Sequence, residues 1–206
     1  MKDSQPNSLE QLRKTAKSCR NCALWANATQ TVFGTGNPHA EVMLVGEQPG
    51  DQEDLKGLPF VGPAGQLLDR ALIAAGVDRE TVYITNAVKH FKWELRGNRR
   101  LHKTPAQREV DACRPWLEGE INAVKPRVIV CLGATAAHAL LGKDFKVSTQ
   151  RGHFIKSDFA EFVFATLHPS AILRIRESEQ REIAFQSLIQ DLSLIRQTLH
   201  RERPAA

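Results

Sequence analysis

The 206-residue sequence has no apolar run long enough to cross a bilayer, for which about 20 consecutive residues are needed. Its first six residues are mostly polar or charged and lack the apolar core of a secretory signal. Internal repeats and low-complexity segments are also absent. These absences argue against a membrane-spanning protein and a repeat array, and they predict a cytoplasmic protein with no membrane partner.

Cysteine is scarce, and the four cysteines are unevenly spaced at Cys19, Cys22, Cys113 and Cys131. In the cytoplasm such cysteines are free, metal-bound or catalytic rather than disulfide-bonded. The Cys19/Cys22 spacing allows metal binding, redox chemistry or chance, and Cys131 alone suits a buried core position at the end of an apolar strand. Four thiolates together would suit an iron–sulfur cluster or a zinc ion.

The length fits one domain spanning residues 1–206, with flexible ends at residues 1–8 and 201–206. A net charge of +5 and an isoelectric point near 9.2 suit a polyanionic partner without proving one.

Apolar runs alternate with segments of helical periodicity along the chain. Strands are expected at residues 41–46, 81–88, 127–132 and 161–166, with a further candidate at 154–155. Helices are expected at residues 9–17, 66–75, 105–124, 134–141 and 178–199, and a basic loop at 89–104. This alternation predicts the α/β class, as a three-layer α/β/α sandwich around a central four-stranded parallel sheet.

A turn rich in glycine and carboxylates follows the first predicted strand. It begins at Gly46, carries Glu47, Asp51 and Asp54, and leads to Phe60. An open parallel sheet binds its ligand at such a turn, and carboxylates beside a stacking ring suit a planar base joined to a sugar. The same residues also suit an acidic surface turn with a core phenylalanine.

Two further side chains follow predicted strands. Asn86 carries an amide that can donate and accept at once, as reading the edge of a planar base requires, but asparagine is also common in turns at strand ends. His168 is held extended by Pro169 and could donate to a leaving base, although a lone histidine also serves as a cap or surface residue.

The basic loop contains six cations opposed only by Glu94, with Phe91 and Trp93 between them. Such a loop can lie along a nucleic-acid backbone, although most runs of charge are simply solvated.

Together these motifs resemble the uracil-DNA glycosylase superfamily, in particular family 4 and its UdgX-type branch. The resemblance covers roughly residues 19–174 and rests on separated motifs, namely Cys19-Arg20-Asn21-Cys22, the Gly46 turn, Thr85-Asn86-Ala87-Val88-Lys89, Arg99-Arg100-Leu101-His102-Lys103, the two later cysteines and Leu167-His168-Pro169-Ser170. Asn98 and Leu101 depart from the branch pattern Lys-Arg-Arg-Ile-His, the first by removing a charge. Gln48 replaces the Ala or Gly usual in family 4, which also favours the UdgX-type branch.

The resemblance implies a uracil-DNA glycosylase-like fold and a role for each motif residue. It implies that His102 attacks C1′ of the sugar after uracil leaves, that Glu47 orients His102, and that Asp51 positions a water or contacts the sugar. An imidazole titrates near neutral pH, so its neutral form is an available nucleophile. The remaining implied assignments are substrate binding by Gly46, Gln48, Phe60 and Asn86, stabilisation of the leaving base by His168, DNA binding by Arg99, Arg100, Lys103 and Ser170, and a [4Fe–4S] cluster on Cys19, Cys22, Cys113 and Cys131.

Three functions remain open at this point. The favoured one is a uracil-DNA glycosylase that stays covalently linked through His102 to its product, acting as a monomer on single-stranded and double-stranded uracil-containing DNA. The second is a conventional family 4 glycosylase whose His102 only contacts DNA. The third is a non-catalytic iron–sulfur domain that binds nucleic acid. As for the cofactor, a zinc ion is the less favoured alternative to the [4Fe–4S] cluster.

Overall fold

A five-stranded sheet forms the centre of the protein, whose computed structural model describes residues 8–199. In the described residues the strands are β1 (Thr35–Gly36), β2 (Val42–Gly46), β3 (Val82–Asn86), β4 (Trp93–Arg96), β5 (Arg99–His102), β6 (Val128–Leu132) and β7 (Phe162–Thr166). The order in the central sheet is β1-β3-β2-β6-β7, and β4 and β5 pair separately.

Four strands of the central sheet, β3-β2-β6-β7, are parallel. They are buried on both faces and rich in Val and Ile, as parallel strands between helical layers usually are. The predicted four-stranded parallel sheet is therefore confirmed. The two-residue strand β1 adds an antiparallel edge, with Thr35 opposite Ile84, and is too short to leave a sequence signal.

Helices cover both faces of this sheet. The α-helices of the described residues are α1 (Leu9–Ala16), α2 (Asp51–Lys56), α3 (Pro63–Ala74), α4 (Gln107–Val124), α5 (Ala134–Leu141), α6 (Val147–Gln150), α7 (Pro169–Leu173) and α8 (Ser178–Leu199). Among them, none combines the length and the apolar character that crossing a membrane requires.

The alternation of side chains along the strands divides the core into two layers. On β6, Ile129 and Cys131 belong to the core that includes apolar residues of α4 and α5. Val128, Val130 and Leu132 belong to the core that includes residues of α3 and α8. This arrangement confirms the three-layer α/β/α fold.

Local structure departs from the sequence-based expectations in several places. The basic loop at 89–104 contains the antiparallel hairpin β4–β5, closed by a turn in which Gly97 has a φ of 59°. The candidate strand at 154–155 forms only a single bridge, from Ile155 to Val163. The acidic turn continues into α2. The Glu53 side chain caps the start of this helix by accepting a hydrogen bond from the Gly50 N–H.

The chain ends were expected to be flexible at residues 1–8 and 201–206. Within this range, Ser8 caps α1, since its hydroxyl accepts a hydrogen bond from the Gln11 N–H at 3.2 Å. Residues 1–7 and 201–206, to which the rest of this expectation applies, lie outside the described residues.

Candidate active site

The carboxyl ends of the parallel strands surround one cavity of about 320 Å³. Glu47 follows β2, Asn86 ends β3, Gly133 follows β6 and His168 follows β7, and all four line the cavity. The connections from β2 and β6 leave toward opposite sides of the sheet, and such a reversal opens a crevice at the strand ends. The cavity is large enough to hold a single planar base.

Gly46 and Gly65 give Phe60 its place in the cavity. A Cβ on Gly46 would lie 2.3 Å from Asn86 Oδ1 and 2.6 Å from Phe60 Cζ, so a side chain there would displace both groups. A Cβ on Gly65 would lie 1.8 Å from the Phe60 carbonyl oxygen. Phe60 itself has a φ of 55°, and its ring lies 5.9 Å from the His168 ring.

Asn86 presents an acceptor with no partner of its own. Its Oδ1 is buried without a hydrogen bond among the described residues, although nearly all such atoms in proteins are paired. The Asn86 carbonyl accepts a bond from Lys89 Nζ at 2.7 Å, which holds this turn from behind. The free Oδ1 can therefore accept from an N–H group on a bound molecule.

A fully buried ion pair supports the end of β3. Lys89 Nζ contacts Glu120, and both side chains are at most 1% exposed. Glu120 also accepts bonds from Tyr83 Oη at 2.9 Å, the Gly34 N–H at 2.9 Å and the Thr85 hydroxyl. Burial, with help from Glu120, raises the pKa of Tyr83 well above its usual range, so this phenol remains a donor. Nothing in the sequence around Lys89 or Glu120 indicated that they would pair.

His168 is held as a neutral hydrogen-bond donor. Its Nδ1 accepts from the Ser170 N–H at 3.1 Å, which leaves the ring proton on Nε2. Burial lowers the pKa of His168 to about 4. Ser170 in turn binds Arg174, whose guanidinium contacts the serine hydroxyl at 2.8 Å. Sequence reasoning missed Arg174, which lies one helical turn after Ser170 and also lines the cavity.

His102 stands at the cavity beside Glu47. The distance from His102 Nε2 to Glu47 Oε1 is 3.1 Å, and the His102 side chain is 40% exposed. The Thr135 hydroxyl donates to the other oxygen of Glu47. Burial alone would raise the pKa of Glu47, but the bonds from His102 and Thr135 outweigh it and lower the pKa below its usual value. Glu47 is thus a carboxylate whose two oxygens hold His102 on one side and the start of α5 on the other.

Gln48 lines the cavity and also ties the hairpin to this site. Its amide donates to the carbonyls of Lys92 at 3.2 Å and Lys103 at 3.1 Å, and its oxygen accepts from the Lys92 N–H at 3.1 Å. These bonds hold the residues directly before β4 and directly after β5, and Lys103 is the residue directly after His102.

Arg100 forms a second anchor for the hairpin. Its guanidinium binds Asp51 at 2.7 Å and Asp54 at 2.6 Å, and lies 5.5 Å from the rings of both Phe91 and Trp93. Burial opposes the charge of Arg100, but these carboxylates raise its pKa overall. Of the cations predicted to bind DNA, Arg99 is exposed, and Lys103 is paired with Glu94 at 3.2 Å on the surface.

Three of the four cysteines lie at one corner of the fold, which we call the cysteine corner (Cys19, Cys22 and Cys113). Trp116, one turn after Cys113 on α4, donates its indole N–H to Cys19 Sγ at 3.1 Å. Burial raises the pKa of Cys113 to about 11, and the charges of Cys22 and Cys19 contribute to the increase. The three sulfurs therefore lie near enough to influence one another.

Cys131 lies elsewhere, in the middle of the sheet. It pairs in register with Val45 on β2 and Ala165 on β7, is fully buried, and burial raises its pKa to about 12. Within residues 8–199, no three His, Cys, Asp or Glu side chains lie close enough to share one metal ion. A zinc ion would need its sulfur ligands about 2.3 Å away, whereas the ligands of a cluster bind separate iron atoms and stand farther apart.

Comparison with known proteins agrees with this geometry. Residues 33–193 match the family described as the Uracil DNA glycosylase superfamily. A type-4 uracil-DNA glycosylase of Thermotoga maritima is 39% identical over 189 residues, covering 91% of this chain and 95% of that protein. One of Archaeoglobus fulgidus is 38% identical over 196 residues, covering 88% and 92%. A type-5 enzyme of Pyrobaculum aerophilum is 32% identical over 178 residues, covering 78% and 74%. The chain belongs to the uracil-DNA glycosylase superfamily.

Proposed function

We propose that this protein excises uracil from DNA and then becomes covalently linked, through His102, to C1′ of the abasic sugar. Membership of the superfamily supports the first step. The observation that carries the second is the 3.1 Å contact between His102 Nε2 and Glu47 Oε1 at the cavity. This contact supports the second step because it joins an imidazole to a proton-accepting carboxylate at the rim of the cavity that would receive the base.

The cavity offers each group that holding and releasing uracil requires. Phe60 supplies the stacking face for a base taken out of the helix. The unpartnered Oδ1 of Asn86 can accept from uracil N3–H, while its amide can donate to O4. His168, neutral with its proton on Nε2, can donate to O2 and stabilise the negative charge that develops on the departing base.

The capture step balances without a further reactant. The bond between N1 and C1′ breaks with its electron pair going to uracil, which leaves an oxocarbenium-like sugar. The imidazole nitrogen of His102 that carries the lone pair then bonds to C1′, and the resulting imidazolium passes its N–H proton to Glu47. Gln48, Asp51 and Arg100 hold the hairpin that carries His102, and exposed Arg99 can contact the DNA backbone. Lys103 and Ser170 would contact DNA by exchanging their present partners, which are Glu94 for Lys103 and His168 with Arg174 for Ser170.

An iron–sulfur cluster at the cysteine corner is part of the proposal. The donor set fits, because the N–H groups of Trp116 and Lys89 point at the sulfurs of Cys19 and Cys113, and such bonds stabilise thiolates. The cluster would supply structural support by joining the segment after α1 to α4, and no step of the reaction uses it.

Denaturing electrophoresis tests this function directly. The protein is mixed with a uracil-containing single-stranded oligonucleotide, and with the same oligonucleotide containing thymine as the matched control. We expect a protein–DNA band that survives heat and detergent with the uracil substrate alone. Uracil release with no surviving band would instead favour a conventional glycosylase whose His102 only contacts DNA. Failure to release any uracil would favour a non-catalytic domain that binds nucleic acid.

A further inference from the structure

His90 carries a ring nitrogen whose role the active site does not explain. The side chain is 4% exposed, and its Nδ1 is buried without a hydrogen-bond partner among the described residues. A buried polar atom of this kind calls for a partner such as an ion or cofactor.

The hydrogen bonds around His90 determine which nitrogen carries the proton. The Thr31 hydroxyl donates its only hydrogen to the Ala16 carbonyl at 2.9 Å, so toward His90 it can only accept. His90 Nε2, 2.9 Å from the Thr31 oxygen, must therefore be the N–H donor. The lone pair of the neutral ring is left on Nδ1, the atom without a partner.

The same bonds place His90 against the cysteine corner. The Ala16 carbonyl that Thr31 contacts also accepts from the Cys19 N–H at 3.0 Å. On the other side, Lys89, the residue directly before His90, donates its N–H to Cys113 Sγ at 3.3 Å. His90 is thus linked to the backbone beside Cys19 and to the sulfur of Cys113.

Cys131 has none of these links. Cys131 on β6 is in register with Val45 on β2, and Val45 is in register with Thr85 on β3. Cys131 is therefore two strands, or about 10 Å, from Thr85. Lys89 lies four residues past Thr85, beyond the end of the strand. Cys131 and Cys113 belong to the same apolar core, so it is the position in the sheet, and not membership of the core, that separates them.

We propose that His90 Nδ1, together with Cys19, Cys22 and Cys113, binds the [4Fe–4S] cluster, and that Cys131 is a core residue. This inference rests on the proposed function only in taking the cluster as the cofactor. The bond from Nε2 to Thr31 fixes the tautomer and aims Nδ1, as the outer partners of metal-binding histidines usually do. A neutral imidazole in place of a thiolate makes the cluster less negative and therefore raises its reduction potential.

Cofactor content of matched variants tests the ligand set. Wild type, Cys131→Ala, Cys113→Ala, His90→Ala and His90→Cys are purified without oxygen, and iron and acid-labile sulfide are measured. We expect Cys131→Ala and His90→Cys to keep the wild-type content, and Cys113→Ala and His90→Ala to lose most of it. The reduction potential of His90→Cys should be lower than that of the wild type.

Pulsed electron paramagnetic resonance gives a second readout that does not depend on the stability of a variant. The reduced wild-type cluster should show strong coupling to a directly bound nitrogen, and His90→Cys should lose it. Absence of nitrogen coupling, together with cluster loss in Cys131→Ala, would overturn the assignment in favour of four cysteines. Wild type free of iron would also overturn it. Uracil release, measured on the same preparations, reports separately on the proposed function.

Discussion

The floor of the cavity and the hairpin above it are built in different ways. Asn86 ends a central strand, His168 follows one, and Phe60 lies in the turn between α2 and α3. Buried groups, including the Lys89–Glu120 pair, support this floor. The hairpin β4–β5 is mostly exposed and is joined to the rest of the protein through side chains such as Gln48 and Arg100. In the proposed reaction the floor releases the base and the hairpin captures the sugar, so the two steps should be separable by mutation.

The sharpest separation is expected from His102→Ser. The change removes the nucleophile and leaves the floor intact, so stable adduct should fall at least about 100-fold while uracil release continues with turnover. Denaturing electrophoresis measures the adduct, and free uracil is quantified in parallel. His153→Ser, which alters an exposed histidine outside the cavity, serves as the control. Full cross-linking by the His102 variant would rule out the proposed nucleophile.

A change in the floor should instead slow both steps. His168→Ala removes a donor to the leaving base, and we expect uracil release and adduct formation to slow together by about 10²–10³-fold. Slower adduct formation with unaffected uracil release would contradict the division between floor and hairpin.

The pH dependence of uracil release checks the charge state of this floor. With a pKa of about 4, His168 is neutral above about pH 5, and the pKa of Glu47 is also lowered. Neither group should therefore reduce the rate as the pH falls from 8 to 5. Uracil release is measured on the wild type, and His102→Ser serves as a comparison. A decline centred near pH 6.5 in both proteins would show that His168 titrates like an exposed histidine.

Selectivity for the base should change more modestly. Asn86→Asp keeps an acceptor but loses the amide donor, so preference for uracil over cytosine should narrow about tenfold. Competing oligonucleotides that contain one base or the other measure the ratio. Asn122→Asp, on the exposed side of α4, is the matched control. An unchanged ratio of uracil to cytosine excision by the Asn86 variant would show that Asn86 does not determine base selectivity.

The smallest effect is expected at the hairpin anchor. Arg100→Met releases Asp51 and Asp54, and adduct formation should slow about fivefold, corresponding to about 1 kcal/mol of lost positioning, with uracil release unchanged. Arg99→Met should leave the adduct rate at saturating DNA unchanged and reduce the salt dependence of binding. The opposite pattern would mean that Arg100 contacts DNA and does not anchor the hairpin.

The same contrast separates what sequence could predict from what it could not. The strands β2, β3, β6 and β7 are apolar runs buried on both faces, so their parallel arrangement followed from the pattern. Glu47, Asn86 and His168 lie at or within two residues of the ends of such strands, and their meeting at one edge was predictable for that reason. The hairpin strands are exposed and charged, carry no apolar alternation, and therefore resembled a loop.

Contacts between side chains that are distant in the sequence could not be predicted from it either. Arg100 was predicted to bind DNA. The run of cations in the sequence does not reveal that Asp51 and Asp54 on α2 face Arg100. Thr135, at the start of α5, carried no motif that tied it to Glu47. The family resemblance grouped Cys131 with the other cysteines, and its position in the middle of the sheet became visible only in the structure.

The backbone of Phe60 has a consequence for how a base enters the cavity. A φ of 55° is uncommon for an aromatic residue, and the turn beneath it leaves no room for any side chain at Gly65. The direction of the ring is thus imposed by the path of the chain, and the unfavourable conformation is offset by the stability of the fold. In the proposed reaction Phe60 would therefore offer a preorganised stacking surface, and a flipped base would lose no binding energy to ordering it.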